Sequence, residues 1–376
     1  MLFVKNDALK VGMRLARPIY NKNGVLLYER NSKLTQQGID SIKNFGLIGI
    51  FILEPAEPVP PMTADDIEFE RFQTMQVFAI EEELKKIAEK KKMAKLETIV
   101  GNITRNYGHL SRKINFVQGL RSREDYLYKH SLNVAALCAM MGHVLNIRGE
   151  EQHATVTAAV IHDIGHLKLP EELLGRTGLT PEEQAVKDRI QMEGFQLLDD
   201  VLSADMGIKR ICTQFYRCLR EFEDGKMPDM RIVHGAKILL VAQVYDQMTA
   251  MQFGRDPASE VAAIRHLLDH PELFDPKVVR ALIDSIYILA PGTSVELNTG
   301  EKALVITSNE ENILQPIILC FKDNSIMDLS NREYADVSIK DIMKTMDNRY
   351  IMDTAALKRQ GIQVEEPDYV AVPEAE

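Results

Sequence analysis

The chain has 376 residues, of which 45% are hydrophobic and 27% are charged, as in ordinary soluble globular proteins of two or three domains. Its net charge of −10 argues against a nucleic-acid backbone as the main partner, because such a partner needs a basic excess. The net charge remains compatible with a small anionic nucleotide as a ligand, bound in a local positive pocket. The N-terminus lacks a signal-peptide pattern, and no run of about 18 apolar residues predicts a membrane span. Four scattered cysteines indicate reduced thiols and a cytoplasmic protein.

Residues 1–53 are predicted to form a small N-terminal α+β unit. The segment "RPIYNKNGVLLY" contains two short strand-like runs on either side of Asn23-Gly24, which is a hairpin signal. The segment "LTQQGIDSIKNFG" predicts a short helix closed by Gly46, and "LIGIFIL" predicts a strand. Four prolines in 54–61 then predict a linker.

A long helical connector is predicted over 62–104. Thr63 and Asp66 form a capping-box pattern at its start. Apolar residues follow at helical spacing, namely Val77, Ile80, Leu84 and Ile87. The run "KKIAEKKKMAK" alternates lysine with glutamate and predicts a solvated helix face rather than a nucleic-acid or membrane patch.

The helical pattern continues over 105–285, and strand-like alternation with Asn and Gly turns predicts a small β-rich unit over 286–345. The acidic segment 346–376 is predicted to be a partly disordered tail. The predicted fold class is therefore mainly α: an all-helical bundle flanked by a small α+β unit and a small β-rich unit.

The pair His162-Asp163 follows the apolar run "AAVI" and suggests a metal site. Adjacent side chains on a helix point about 100° apart, so the two converge on one point only at a helix end or a kink. Gly165 and Pro170 predict a helix end there. His130 lies 162 − 130 = 32 residues upstream, which is enough chain for a helix to run out and return beside it.

Several motifs in consistent order resemble the HD-GYP subgroup of the HD phosphohydrolase superfamily. They are "YKHSLNVA", "HDIGH", "LTPEE", "GFQLL" and "AKILLVAQVYDQMTA". The N-terminal "LKVGMRLARPIY" and "GVLLYERNSKLT" resemble an accessory domain that often precedes HD-GYP domains. The segment "APGTSVELNTGEKALVI" resembles one that commonly follows them. The resemblance covers roughly residues 4–330.

The resemblance implies an all-helical HD-type bundle over 105–285 and a metal-dependent activity. Family members hydrolyse the bacterial second messenger cyclic di-GMP and hold two or three iron or manganese ions. By resemblance, His130, His162 and Asp163 match three metal ligands, with Asp163 in the role that bridges two ions.

The sequence departs from the family at four expected ligand positions, which carry Gln191, Leu219, Arg220 and Gln243. The segment "LREFEDGKMP" (219–228) stands where the family has His-His-Glu-x-x-Asp-Gly-x-Gly-Tyr-Pro. The lysine that usually follows the His-Asp-x-Gly step is His166. Leucine cannot ligate, glutamine is a weak neutral donor and arginine is permanently positive, so a second ion would lose its protein ligands.

Two interpretations of the retained trio remain open. One iron or manganese ion could bind His130, His162 and Asp163, a set of two histidines and one carboxylate. Alternatively, the three are relics held by hydrogen bonds inside the bundle. Glu221 and His166 are further candidate catalytic relics.

Single histidines on helices, His143, His153 and His166, are expected in surface or capping roles. His166 is also carried as a ligand-binding candidate together with Arg220. Arg220 could stand where metals stood, compensating Asp163 and offering its guanidinium to phosphate, or it could simply project to solvent.

Three functions stay open at this stage. The first is a degenerate HD-GYP protein that binds cyclic di-GMP or signalling proteins, with hydrolysis lost or weak. The second is a residual metal-dependent phosphodiesterase, and a deoxynucleotide triphosphohydrolase ranks low because "LKLP" follows "HDIGH". The third is a scaffold that binds no nucleotide and dimerises through the helix at 64–104. We favour the first, so the enzyme prediction stays uncertain and leans toward inactivity.

Overall fold

The computed structural model describes residues 2–20, 25–44, 49–53, 62–91, 94–116, 118, 121–122, 124–170, 172–173, 176, 178–201, 206–250, 257–343 and 369–370. The chain divides into two compact units. One comprises the described residues within Met1–Phe69, Ser259–Ala262 and Tyr287–Glu376. The other comprises those within Glu70–Ala258 and Ala263–Ile286. The predicted fold class, a helical bundle with small β-containing units at both chain ends, is confirmed.

The N-terminal part contains five strands and one helix. They are β1 Leu2–Lys5, β2 Arg14–Leu15, β3 Ile19–Tyr20, β4 Leu26–Tyr28, α1 Gln36–Asn44 and β5 Gly49–Leu53. Strand β5 is central in an antiparallel sheet of order β1-β5-β2, and β3 pairs with β4 as predicted. The predicted turn at Asn23-Gly24, the closing Gly46 and the linker 54–61 lie outside the described residues.

The C-terminal part is a five-stranded antiparallel sheet of order β10-β9-β8-β7-β11. Its strands are β7 Ser294–Leu297, β8 Lys302–Thr307, β9 Ile317–Cys320, β10 Ile326–Asp328 and β11 Ile339–Ile342. A short pair joins β6 Met62–Thr63 to β12 Tyr369–Val370. Apart from β12, the predicted tail lies outside the described residues.

Helices α2 to α10 supply most of the second unit. They are α2 Ala64–Ala88, α3 Leu96–Tyr107, α4 Tyr126–Val144, α5 Gly149–Ile161, α6 Pro181–Val201, α7 Met206–Glu223, α8 His234–Thr249, α9 Glu260–Asp269 and α10 Pro276–Ser285. Helix α4 packs against α3, α5, α8 and α10, and residues 130–142 are all buried. A helix that is apolar all round is expected at such a central position. Across the described residues, no helix combines the length and apolar character that a bilayer crossing requires.

The predicted long helix over 64–104 is wrong, because the chain forms two helices there. Helix α2 ends at Ala88, and Lys90 adopts a positive φ of 57° that a helix cannot continue through. The buried carboxylate of Glu83 accepts hydrogen bonds from the backbone N–H groups of Ala94 and Lys95, and so fixes the start of α3 against α2. The capping box at Thr63 and Asp66 is confirmed by reciprocal side-chain-to-backbone hydrogen bonds.

The helix end predicted at His162-Asp163 is confirmed. Helix α5 stops at Ile161, and a 3-10 helix, Ile164–Lys168, follows directly. This turn lies against α6 at a contact between two glycines. A Cβ on Gly194 would come within 2.5 Å of the backbone N of Gly165. The glycine of "HDIGH" therefore lets the backbone after Asp163 approach α6 closely.

We predict opposite effects for two glycine-to-alanine changes inside helices. Gly101→Ala on α3 adds a Cβ into open space and should raise the free energy of unfolding by about 0.5–1 kcal/mol. Gly194→Ala on α6 should lower it by about 1–3 kcal/mol, because its Cβ overlaps backbone. Urea unfolding measures both. A gain in stability from Gly194→Ala would contradict the close approach.

Candidate functional site

The buried side chain of His130, in the second turn of α4, is held from one side by Asp246 on α8. Its Nδ1 atom lies 2.5 Å from Oδ2 of Asp246. This contact orients the ring so that Nε2 faces the other way, toward Gln243 and Asp163. A carboxylate behind a histidine is the usual support of a metal-binding imidazole.

The carboxylate of Asp246 is itself fully buried and is compensated by charge. Nη2 of Arg121 donates to both oxygens, at 2.6 Å and 2.7 Å, and Nδ2 of Asn133 donates to Oδ1 at 3.0 Å. Burial alone would raise the pKa of Asp246, but the charge of Arg121 and the hydrogen bond from His130 outweigh it and hold the pKa below its usual range. Asp246 is therefore an ionised carboxylate inside the bundle.

His162 caps the C-terminus of α5 and is fully buried. Its Nδ1 lies 2.7 Å from the carbonyl oxygen of Ala159, so its Nε2 also faces inward. Burial lowers the pKa of His162, although the charge of Asp163 opposes this. The ring is therefore neutral near pH 7.

Asp163 completes the trio. Its Oδ2 lies 3.6 Å from Nε2 of His130, 3.7 Å from Nε2 of His162 and 3.0 Å from Nδ1 of His166. Burial would raise the pKa of Asp163, but the histidines, His166 first, hold it well below its usual range. One donor atom from each of His130, His162 and Asp163 lies within 4.8 Å of the others.

Gln243 reaches the point at which the two histidines converge. Helix α8 packs against both α4 and α5, and the amide Oε1 of Gln243 lies 2.7 Å from Nε2 of His130 and 2.6 Å from Nε2 of His162. Only 2% of Gln243 is exposed. Gln243 and Asp246 are three residues apart on α8 and so share one face.

The other three departures from the family pattern lie on α6 and α7. Gln191 is fully buried, and its amide nitrogen donates to the carbonyl of His162. Leu219 is buried, and Arg220 is bound by carboxylates rather than by Asp163. None of these side chains offers a metal the donor that histidine would.

Arg220 is neither solvent-projecting nor directed at Asp163. Its Nε lies 3.2 Å from Asp188, its Nη1 lies 2.5 Å from Glu223 and its Nη2 lies 2.9 Å from Asp224. Each nitrogen of the guanidinium therefore contacts a carboxylate other than that of Asp163. Binding of a phosphate group by Arg220, which lines the cavity described below, stays a prediction.

A partly open cavity of about 740 Å³ adjoins the trio. Its lining includes His130, Asp163 and His166, together with the cationic side chains of Arg176, Lys187 and Arg220 and the carboxylates of Asp188, Glu223 and Asp224. This volume lies within the usual range of small-molecule sites. Glu221 is not part of this lining and lies 3.9 Å from Nε of Arg217.

The three single histidines occupy different environments. His153 lies at the surface within 2.8 Å of Glu97, and His143 is half-buried near the end of α4. His166 instead lines the cavity and contacts Asp163. Its Nε2 atom is buried and has no hydrogen-bond partner among the residues that the structure describes, unlike a surface or capping histidine.

The donor set fits one metal ion. Both histidines have Nδ1 against an oxygen acceptor, so both turn Nε2 toward Asp163, as ligands of a shared ion do. A histidine/aspartate group able to hold an ion is thus present. At three further positions where the resemblance implies metal ligands, the chain carries Gln191, Leu219 and Arg220.

Comparison with known proteins agrees with this architecture. Residues 116–278 match the HD domain family model. The chain is 25% identical over 208 residues to cyclic di-GMP phosphodiesterase PA4108 of Pseudomonas aeruginosa, covering 54% of this chain and 49% of that protein. It is also 25% identical over 201 residues to the cyclic di-GMP phosphodiesterase response regulator RpfG of Xanthomonas campestris pv. campestris, covering 52% of this chain and 51% of that one. This chain therefore carries an HD domain.

The chain spans about half the length of these two curated relatives. Among solved structures, Bd1817, an HDG"Y"P protein from Bdellovibrio bacteriovorus, is 15% identical with a TM-score of 0.45, covering 75% of this chain and 98% of that one.

Sequence reasoning missed two residues that support this site, Asp246 and Arg121. A buried aspartate three residues after Gln243 was visible in "AQVYDQM", but its partner 125 positions earlier was not. Gln243 was treated only as a lost ligand, although it contacts both histidines.

We predict that Asp246→Asn lowers the free energy of unfolding by about 3–5 kcal/mol, because it leaves the buried guanidinium of Arg121 without its counter-charge. The matched control is Asp284→Asn in the exposed Arg280–Asp284 pair, which should cost less than about 1 kcal/mol. Urea unfolding of both variants measures the difference. Equal costs would show that Asp246 does not stabilise the bundle.

Proposed function

We propose that this chain is a degenerate HD-GYP protein of bacterial cyclic-di-GMP signalling. In this role it binds cyclic di-GMP or a related cyclic dinucleotide in the cavity beside His130 and Asp163, and hydrolyses it weakly or not at all. The observation that carries the proposal is the contact of Gln243 with His162 and with His130, which lines that cavity. A cavity adjoins the trio, and four positions at which the resemblance implies metal donors carry Gln191, Leu219, Arg220 and Gln243.

The charges of the cavity favour an anion at one place in particular. Arg176 is bound by Glu183, and Arg220 is bound by three carboxylates. Lys187, by contrast, lines the cavity with no ion pair among the described residues. Lys187 is therefore the cation available to a phosphate oxygen.

The trio His130, His162 and Asp163 would hold a single ion, iron or manganese, if one binds. When bound, that ion would supply positive charge to a phosphate group. His166 lies on the same wall, and Asp163 fixes the orientation of its ring. Loss of the other donors removes the second ion that a two-metal hydrolysis requires.

A residual metal-dependent phosphodiesterase is the second candidate, and the compact trio is the observation that favours it. The scaffold alternative predicts dimerisation through one long helix at 64–104, and this segment contains the two helices α2 and α3. The two candidates differ in turnover, so binding and hydrolysis should be measured on the same preparation.

We predict that isothermal titration detects cyclic di-GMP binding to the wild type, with Mn²⁺ supplied, and that Lys187→Ala weakens it about tenfold or more through loss of a charge-assisted hydrogen bond. The matched control is Arg189→Ala, an exposed cation two residues along α6 that does not line the cavity. The affinity of the Arg189→Ala variant for cyclic di-GMP should equal that of the wild type.

The same samples are then assayed for the linear dinucleotide product. Binding without turnover supports the receptor function, and multiple turnovers support the phosphodiesterase. No binding by the wild type, or equal losses in both variants, would overturn the proposal.

A further inference from the structure

A row of buried hydrogen bonds connects helix α2 to the carboxylate behind His130. Nε2 of Gln73 on α2 donates to Oδ1 of Asn133 on α4 at 2.8 Å. Nδ2 of Asn133 donates to Oδ1 of Asp246 on α8 at 3.0 Å, and Oδ2 of Asp246 lies 2.5 Å from Nδ1 of His130. Only 8% of Gln73 and 3% of Asn133 are exposed, so solvent has little access to these contacts.

The side-chain amide of Asn133 is used completely in this row. Its two hydrogens go to Oδ1 of Asp246 and to Oε1 of Gln118, at 3.0 Å and 2.8 Å, and its oxygen accepts from Gln73. Rotating this amide by 180° would turn its oxygen toward a carboxylate oxygen and an amide oxygen, and its NH₂ group toward the NH₂ group of Gln73. The donor on Gln73 therefore favours the orientation in which Asn133 donates to Asp246.

We infer that Gln73 and Asn133 are positioning residues for an ion on the trio, and that helix α2 influences the metal affinity of the site through them. A carboxylate that orients a ligating histidine is part of what sets metal affinity. Asp246 is that carboxylate here, and Asn133 is one of the residues that hold it. The inference rests on the proposed function for the single ion that the trio would hold.

The route from α2 acts through orientation, because the side chains of Gln73 and Asn133 are neutral. Without the donor on Gln73, the buried oxygen of Asn133 has no partner, which favours rotation of its amide. Rotation removes the hydrogen bond to Asp246, and the carboxylate that supports His130 is then less firmly held. A displacement of α2 that separates Gln73 from Asn133 has the same effect, so the position of this helix regulates the site.

Substitutions at both positions test the route, with Co²⁺ alone as the probe and its absorption bands as the readout. Asn133→Leu removes the amide next to Asp246 and should weaken Co²⁺ binding about tenfold. Gln73→Met keeps the length of the side chain and removes only the outer donor, so it should weaken binding about threefold. In the double variant Gln73→Met should cause no further loss, because it acts only through Asn133.

The matched control is Gln152→Met on α5. It also removes one hydrogen bond of a side-chain amide, to the carbonyl of Gly108 at 3.1 Å, but this bond does not lead to Asp246. Urea unfolding should show a loss of stability in both Gln73→Met and Gln152→Met, whereas Co²⁺ affinity should fall only in Gln73→Met. His162→Ala should abolish Co²⁺ binding, which assigns the ion to the trio.

Three results would overturn the inference. They are an unchanged Co²⁺ affinity in Gln73→Met, an equal further loss when Gln73→Met is added to Asn133→Leu, and a wild type that does not bind Co²⁺. No nucleotide enters these experiments, so a failure of cyclic di-GMP binding would leave their outcome unaffected.

A measurement on the wild type does not depend on whether the variants fold. Coupling between two sites is reciprocal, so an ion that responds to Gln73 must also affect Gln73. Addition of Zn²⁺ should therefore shift the side-chain amide signals of Gln73 and Asn133 in ¹⁵N NMR spectra and leave the signal of Gln152 unchanged. A signal of Gln73 that does not shift when Zn²⁺ binds contradicts the inference.

Discussion

The buried ion pair between Arg121 and Asp246 is the interaction on which the arrangement of the histidines depends. The carboxylate of Asp246 orients His130 through Nδ1, and it stays ionised because Arg121 lies against it. Such a pair is costly to bury, and the Nε and Nη1 atoms of Arg121 have no hydrogen-bond partner within the described part of the chain. The ring of Tyr126, 5.2 Å from the guanidinium carbon, adds a cation–π contact.

Once His130 is oriented, the rest of the site follows from helix packing. Helix α5 ends where His162 can turn Nε2 inward, and the close glycine contact with α6 places Asp163 and His166 along the cavity. Helix α8 then brings Gln243 between the two histidines. Among the residues that the structure describes, one donor atom from each of His130, His162 and Asp163 is thus close enough to the others to hold an ion.

Local signals in the sequence were sufficient to predict the secondary-structure elements around the site. Gly165 and Pro170 predicted the helix end, and the capping box predicted the start of α2. The strand alternation past 286 predicted the C-terminal sheet. The break after α2 was not predicted, because it depends on Glu83 accepting from backbone groups eleven and twelve residues away.

Contacts between distant segments account for what the sequence could not show. The pairs of Arg220 with Glu223 and Asp224 could have been inferred from their spacing of three and four residues on one helix, but its pair with Asp188 required the packing of α6 on α7. The contact of Gln243 with His130 and His162 joins three helices in the same way.

The number of metal ions per chain tests the central claim most directly. Protein purified after expression with iron and manganese supplied is measured by elemental analysis, alongside His162→Ala. The account predicts at most one ion per chain in the wild type and none in the variant. Two or more ions per chain would contradict it, because they would require ligands that Gln191, Leu219 and Arg220 cannot provide.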